Sequence, residues 1–162
     1  MKYDLIVIGA GSGGVRAARI ASVHGAKVAI VENNRFGGTC VNVGCVPKKL
    51  YYYLSQLNKD IENYKSYGWS IPKPSLNWKL FIKKKDQEIS RLNKIYEGIL
   101  SRNKIDIING TAQFLNSQKI KVGKKTYQAK KFINVMRVVK DLNLNIMEQN
   151  FELECQLTFS IR

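Results

Sequence analysis

A run of apolar residues that stops on a cluster of glycines constrains this chain more than any other feature. Tyr3 to Ile8 suits a strand buried on both faces of a sheet. Gly9-Ala10-Gly11-Ser12-Gly13-Gly14 follows directly. A helix is predicted from about Val15 to His24, with Gly25 well placed to end it. Lys27 to Val31 predicts a second buried strand, closing on Glu32. Strand, crossover helix and parallel strand make one βαβ unit, so the chain is expected to be α/β around a parallel sheet.

The glycine spacing narrows what the unit can hold. Gly9 allows a tight turn, Gly11 lets the backbone approach a pyrophosphate, and Gly14 lets the helix pack against the sheet. The amide-rich start of the helix faces the phosphates. Glu32 can accept both hydroxyls of an adenosine ribose, which favours a dinucleotide without a 2′-phosphate and sets NADP aside for this site. A GxGxxG alone is weak evidence. The strand, the helix and the acid around this one make it specific.

Farther along, Asn33 to Gly38 reads as a loop and Thr39 to about Tyr64 as helix after an irregular start. Asn77 can cap a long amphipathic helix to about Arg102, with Phe81, Ile82, Ile89, Leu92, Ile95, Tyr96 and Ile99 on one side. Short β segments are expected at Ile105 to Ile108, Ala112 to Leu115, Ile120 to Val122 and Lys125 to Tyr127, with Gly123 in the last turn. Long helices and a small antiparallel segment thus accompany the parallel sheet.

The formal charge of +15 over 162 residues raises the question of nucleic acid. The lysines are strewn from Lys59 to Lys131 in no single block and with no nucleic-acid motif, so no nucleic-acid partner is expected. A positive field of this kind would instead attract anionic ligands. No apolar run is long enough to span a bilayer, and no signal segment follows Lys2, so no membrane association and a cytoplasmic setting are expected.

Cys40, Cys45 and Cys155 are the only cysteines. An odd count without a secretory signal argues against a structural disulfide framework. With His24 the sole histidine, no metal site is expected. Cys40-Val41-Asn42-Val43-Gly44-Cys45 can form a redox pair, or hold two small buried residues that happen to be thiols. In a regular helix, residues five apart have Cα atoms about 8.6 Å apart, and a disulfide needs about 7 Å or less. A bridged pair therefore requires an irregular segment, which Gly44 permits. Pro47 would set Cys45 near a helix N-terminus, where the dipole, Lys48 and Lys49 favour a thiolate.

The stretch Gly37-Gly38-Thr39-Cys40-Val41-Asn42-Val43-Gly44-Cys45-Val46-Pro47-Lys48-Lys49 resembles the active-site signature of the class I pyridine-nucleotide disulfide oxidoreductases. The resemblance runs from Tyr3 to Ile133 and implies a Rossmann-like FAD-binding domain, truncated here. Among the branches it is most similar to the glutathione reductases. Lys48-Lys49 stands where lipoamide and mercuric reductases usually carry Ser-Lys. Asn33 to Phe36 lacks the insertion of the large thioredoxin reductases, and Arg19 stands where trypanothione reductases carry a bulky aromatic. Ser90-Arg91-Leu92-Asn93 through Ile95-Tyr96, and Gly110 to Phe114, are similar to the glutathione reductase pattern as well.

The resemblance implies that NADPH reduces FAD, which reduces the Cys40–Cys45 disulfide, which reduces oxidised glutathione. It makes Cys40 the interchange thiol and Cys45 the charge-transfer thiol nearer the flavin. It matches Gly9, Gly11, Ser12, Gly13, Gly14, Glu32, Thr39, Cys40, Lys48 and Ala112 to FAD-holding positions, Lys48 beside the flavin ring. Ser12, Arg19 and Tyr96 match substrate contacts. The family works as a homodimer, with an acid–base histidine from the other subunit that His24 does not match.

After Ala129 to Ile133 the family pattern calls for an Ala-Thr-Gly-Gly turn, whereas this chain reads Asn134-Val135-Met136-Arg137. Residues 1–133 are therefore expected to form the start of the FAD-binding domain and 134–162 an unmatched tail, as a frameshift or premature end would produce. Met136 onward is expected to pack poorly or extend away. Two functions stay open: a disulfide reductase cut short, or a non-catalytic flavin-binding remnant.

Overall fold

The computed structural model describes residues 2–72 and 74–136. Strand β1 (Lys2–Ile8) leads into helix α1 (Ser12–Val23) and strand β2 (Val28–Glu32). Helices α2 (Gly38–Asn42), α3 (Cys45–Ser66) and α4 (Trp78–Arg102) follow, then strands β3 (Asp106–Asn109), β4 (Ala112–Asn116), β5 (Lys119–Val122) and β6 (Lys125–Asn134). The strands form one sheet in the order β3-β2-β1-β6-β5-β4. β3, β2, β1 and β6 run parallel, and β6, β5 and β4 pair antiparallel. This is the mixed α/β architecture that the βαβ reading implied.

Leu5 to Ile8 of β1 and Val28 to Val31 of β2 are unbroken apolar runs, because both faces of the sheet are covered there. Leu5, Val7, Val28 and Ile30 pack with Val15 and Ala18 of α1 and with Leu100 at the end of α4. Ile6, Ile8, Ala29 and Val31 share a second cluster with Ile120 and Val122 of β5. Ile6, Ile30, Leu100 and Ile120 are completely buried, and each such side chain contributes roughly 1.5–3 kcal/mol by leaving water. The antiparallel ribbon thus covers the face that the helices leave open.

Helix boundaries follow local chemistry. The Asn77 Oδ1 accepts the Leu80 N–H at 3.0 Å, capping α4 where expected. On α4, Ile89 and Leu100 are buried and Tyr96 and Ile99 pack on the first cluster, whereas Ile95, expected on the buried side, is 40% exposed. Tyr51 of α3 stacks on Trp78 and meets Phe81, tying α3 to α4. α1 begins at Ser12, three residues before the expected Val15, since Gly11 is already the N-cap.

The expected short strand at Lys125 to Tyr127 is the first third of a ten-residue strand. Its start pairs antiparallel with β5 and its remainder parallel with β1, so one strand serves both parts of the sheet. Beyond it, the Val135 N–H donates to the Ile8 carbonyl at 2.9 Å, and the Met136 Cγ lies 3.4 Å from where a Gly9 β-carbon would stand. Val135 and Met136 therefore lie over the glycine turn, with Met136 46% exposed. The rest of the tail, with Cys155, lies outside the described residues. Among the described residues no helix is long and apolar enough to cross a membrane.

Candidate functional site

The first turn of α1 presents backbone N–H groups that no side chain caps. Gly11, its N-cap, has no side chain to accept the leading N–H groups, and no acidic residue stands in that turn. Those amides point to an anion by the ordinary physics of a helix N-terminus. Gly14 holds this turn against the strand: a β-carbon there would lie 1.9 Å from the Gly9 carbonyl oxygen. Above it a cleft is lined by Gly9, Gly11, Glu32, Gly38, Thr39 and Met136. The glycine fingerprint and the start of the cysteine stretch meet in that one cleft.

Glu32 is already engaged by backbone. Its Oε2 accepts the Ala10 N–H at 2.7 Å, and its Oε1 accepts the N–H groups of Asn33 and Asn34, each at 3.0 Å. These bonds aim the carboxylate at the cleft and fasten the glycine turn to the end of β2. Oε2 keeps acceptor capacity for a ribose hydroxyl, since a carboxylate oxygen has two lone pairs. The donors, the acceptor and the side-chain-free approach at Gly11 fit the adenosine-diphosphate part of a flavin dinucleotide. Ala112 opens β4 away from the cleft lining, two residues past Gly110, whose N–H donates to the Glu32 carbonyl at 2.8 Å.

Cys40 lies in α2, a single turn of helix, and Cys45 is the first residue of α3. Between them Val43 (φ −141°, ψ 7°) and Gly44 (φ −125°, ψ −111°) leave helical geometry. A β-carbon on Gly44 would stand 2.9 Å from the Thr39 carbonyl oxygen and 3.4 Å from the Cys40 Cα. The break supplies the irregularity that the five-residue spacing demands. Both are free thiols in this structure. Cys40 is partly buried and Cys45 exposed.

The hydrogen bond with Cys45 raises the Cys40 thiol above its ordinary pKa, and burial and the Cys45 charge add to that. The backbone N–H of Cys45 and the charge of Lys48 oppose the rise without cancelling it. The N–H at the start of α3 and Lys48 thus act on Cys40. The chain folds Cys40 back over the beginning of α3. Lys48 itself lines a shallow pocket with Cys45, Lys49 and Tyr52.

Ser12 and Tyr96 come together, hydroxyl to hydroxyl, at 3.2 Å. Tyr96 therefore both packs on the core and presents its hydroxyl at the start of α1. Arg19 is not brought to this point. It is exposed in a groove between the ends of α1 and α4, beside His24 and Arg102. Sequence reasoning missed two asparagines. Asn42 donates to the carbonyls of Phe36 at 3.0 Å and Gly38 at 2.9 Å. Asn93 of α4 donates to the Phe36 carbonyl at 2.7 Å and to the Asn42 Oδ1 at 3.0 Å. Their place inside the two matched stretches was the available signal.

Residues 3–134 match the family described as pyridine nucleotide-disulphide oxidoreductase. The chain is 50% identical over 120 residues to a glutathione reductase of Burkholderia cepacia, covering 74% of this chain and 27% of that protein. It is 44% identical over 131 residues to a glutathione reductase of a Nostoc species, covering 81% and 28%. A glutathione reductase of Debaryomyces hansenii is 47% identical over 123 residues, covering 72% and 25%. The chain thus spans about a quarter of the length of these relatives. By its matched residues and its fold, the chain belongs to the pyridine nucleotide-disulphide oxidoreductase family.

Proposed function

We propose that this chain is the N-terminal, FAD-binding portion of a glutathione-disulfide reductase, with residues 1–133 as that portion and 134–162 as a separate tail. One observation carries the reading: Glu32 and the glycine turn share a cleft with Gly38 and Thr39, the residues leading directly into Cys40. The relatives named glutathione reductase support the choice of substrate.

The α1 amides, Ser12, Gly13 and Thr39 would hold the phosphates of FAD, Glu32 its adenosine ribose and Ala112 its adenine end, with Lys48 beside the flavin ring. When bound, FAD supplies the electron pair, drawn from NADPH, that opens the Cys40–Cys45 disulfide. The chemistry left to this chain is thiol–disulfide exchange. The Cys40 thiolate attacks one sulfur of oxidised glutathione, a mixed disulfide forms, and one glutathione leaves as a thiolate that takes up a proton. The Cys45 thiolate then attacks the Cys40 sulfur, closing the protein disulfide and releasing the second glutathione. Ser12, Arg19 and Tyr96 would contact the glutathione. A cytoplasmic homodimer is the expected form of the whole enzyme.

Trapping tests the assignment. Cys45→Ser, reduced and mixed with oxidised glutathione, is expected to accumulate one glutathione on Cys40, and Cys40→Ser none at Cys45 under the same brief exposure. Equal labelling of both variants, or of neither, would remove the distinct roles given to the two cysteines.

A further inference from the structure

The cysteine stretch is held in place from a distance. α2 is five residues long, far too short to be stable by its own hydrogen bonds. α3 buries only Pro47 among its 22 residues, so little beyond that one first-turn side chain and the Tyr51 ring contacts packs it onto the rest of the chain. Asn93 of α4 reaches Phe36 and Asn42 from another element through side-chain hydrogen bonds. Its amide donates to the Phe36 carbonyl at 2.7 Å and to the Asn42 Oδ1 at 3.0 Å. Asn42 turns the same way, donating to Phe36 and Gly38. Two interlocked amides thus close the loop on which Cys40 stands. Asn93 and Tyr96 are three residues apart on α4 and so share a face, and Tyr96 meets Ser12. One helix face aligns the cysteine loop with the start of α1.

We propose that Asn93, through Asn42, is a positioning residue that sets how readily Cys40 and Cys45 close into a disulfide. The inference rests on the redox-pair reading above and concerns a residue outside that chemistry. The step is the exchange of two protein thiols with one glutathione disulfide, giving one protein disulfide and two glutathione thiols. Electrons and protons balance, with two of each passing from the protein to glutathione. Loss of the Asn93 donor leaves the Phe36 carbonyl and Asn42 Oδ1 without that partner and lets α2 swing relative to α3. That lowers the effective concentration of one thiol at the other.

The reduced chain, in a Cys155→Ser background so that only the pair reports, is equilibrated in a series of glutathione redox buffers. Thiol trapping and mass spectrometry then give the closure equilibrium. Asn93→Leu, similar in size but unable to donate, is expected to weaken closure about tenfold, the scale of one lost hydrogen bond. Ile120→Val trims the far core, where Ile120 is completely buried, and is expected to lower the melting temperature while leaving closure unchanged. A merely structural role for Asn93 would make both variants behave alike. Closure within twofold of the parent in Asn93→Leu overturns the clamp and leaves the redox pair standing. A parent chain in which the pair never closes overturns both. Should Asn93→Leu lose its helical circular dichroism, Asn93→Asp, which keeps the shape without the donor, is read against the same outcomes.

Discussion

Gly38 lies so close to Gly11 that a β-carbon on Gly38 would stand 2.8 Å from the Gly11 Cα. Next to it the Gly37 N–H donates to the Ala10 carbonyl at 2.8 Å, and Gly11 and Gly37 form a parallel bridge. The glycine fingerprint and the loop that carries Cys40 are thereby one structural unit. A backbone atom cannot swing aside as a side chain can, and Gly38 also has a φ of +60°. Gly38→Ala is accordingly expected to cost about 2 kcal/mol or more, measured as a lower urea midpoint. An unchanged midpoint would show that the two loops are not in this contact.

Glu32 serves three backbone N–H groups before any ligand arrives. Glu32→Ala should therefore destabilise the chain itself by roughly 1–3 kcal/mol, because hydrogen bonds to a charged acceptor are lost. It should also weaken FAD binding, followed by flavin fluorescence. Weakened flavin binding at full stability would mean that the carboxylate serves the ribose alone. Full retention of both would remove Glu32 from the site.

Tyr3 of β1 donates its hydroxyl to the Asp106 Oδ2 at 2.9 Å. Burial first, and then Asp106, push its pKa from 10.0 up to about 12. Between these two values the unfolded chain has lost a proton that the folded chain keeps. The unfolded state then binds fewer protons, so stability falls as pH rises. The Tyr3 contribution is complete below about pH 10 and is lost as the pH climbs toward the raised value. Tyr3→Phe should be less stable at neutral pH, yet show a shallower decline across that window in urea titrations. Parallel curves for the two proteins would refute the linkage.

Much of the fold is legible locally. Leu5 to Ile8 and Val28 to Val31 announce buried strands because both of their faces are apolar, and Asn77 announces a helix because its side chain can cap one. β6 is less legible. Lys130 and Lys131 interrupt its apolar pattern, and its second half is held by parallel pairing with β1, an interaction between residues far apart in the chain. Of the site, the cysteine spacing and the glycine turn are legible as chemistry. The direction of the Cys45 N–H toward Cys40 is not, since it depends on how Val43 and Gly44 bend the chain.

What the sequence determined by itself is the set of parts: a βαβ unit closing on Glu32, a capped long helix, two cysteines split by a flexible glycine, and membership of a redox family. Each depends on residues within a few positions of one another, where propensity, capping and spacing act directly. Only the tertiary structure decided the partners. It joined Gly38 to Gly11, gave the Glu32 carboxylate to three amides, and laid Val135 and Met136 over Gly9. It also left Arg19 in a separate groove and carried Asn93 to Asn42. The reason is physical: a polar group can be satisfied by any complementary group that packing brings within about 3 Å, and packing is a property of the whole chain.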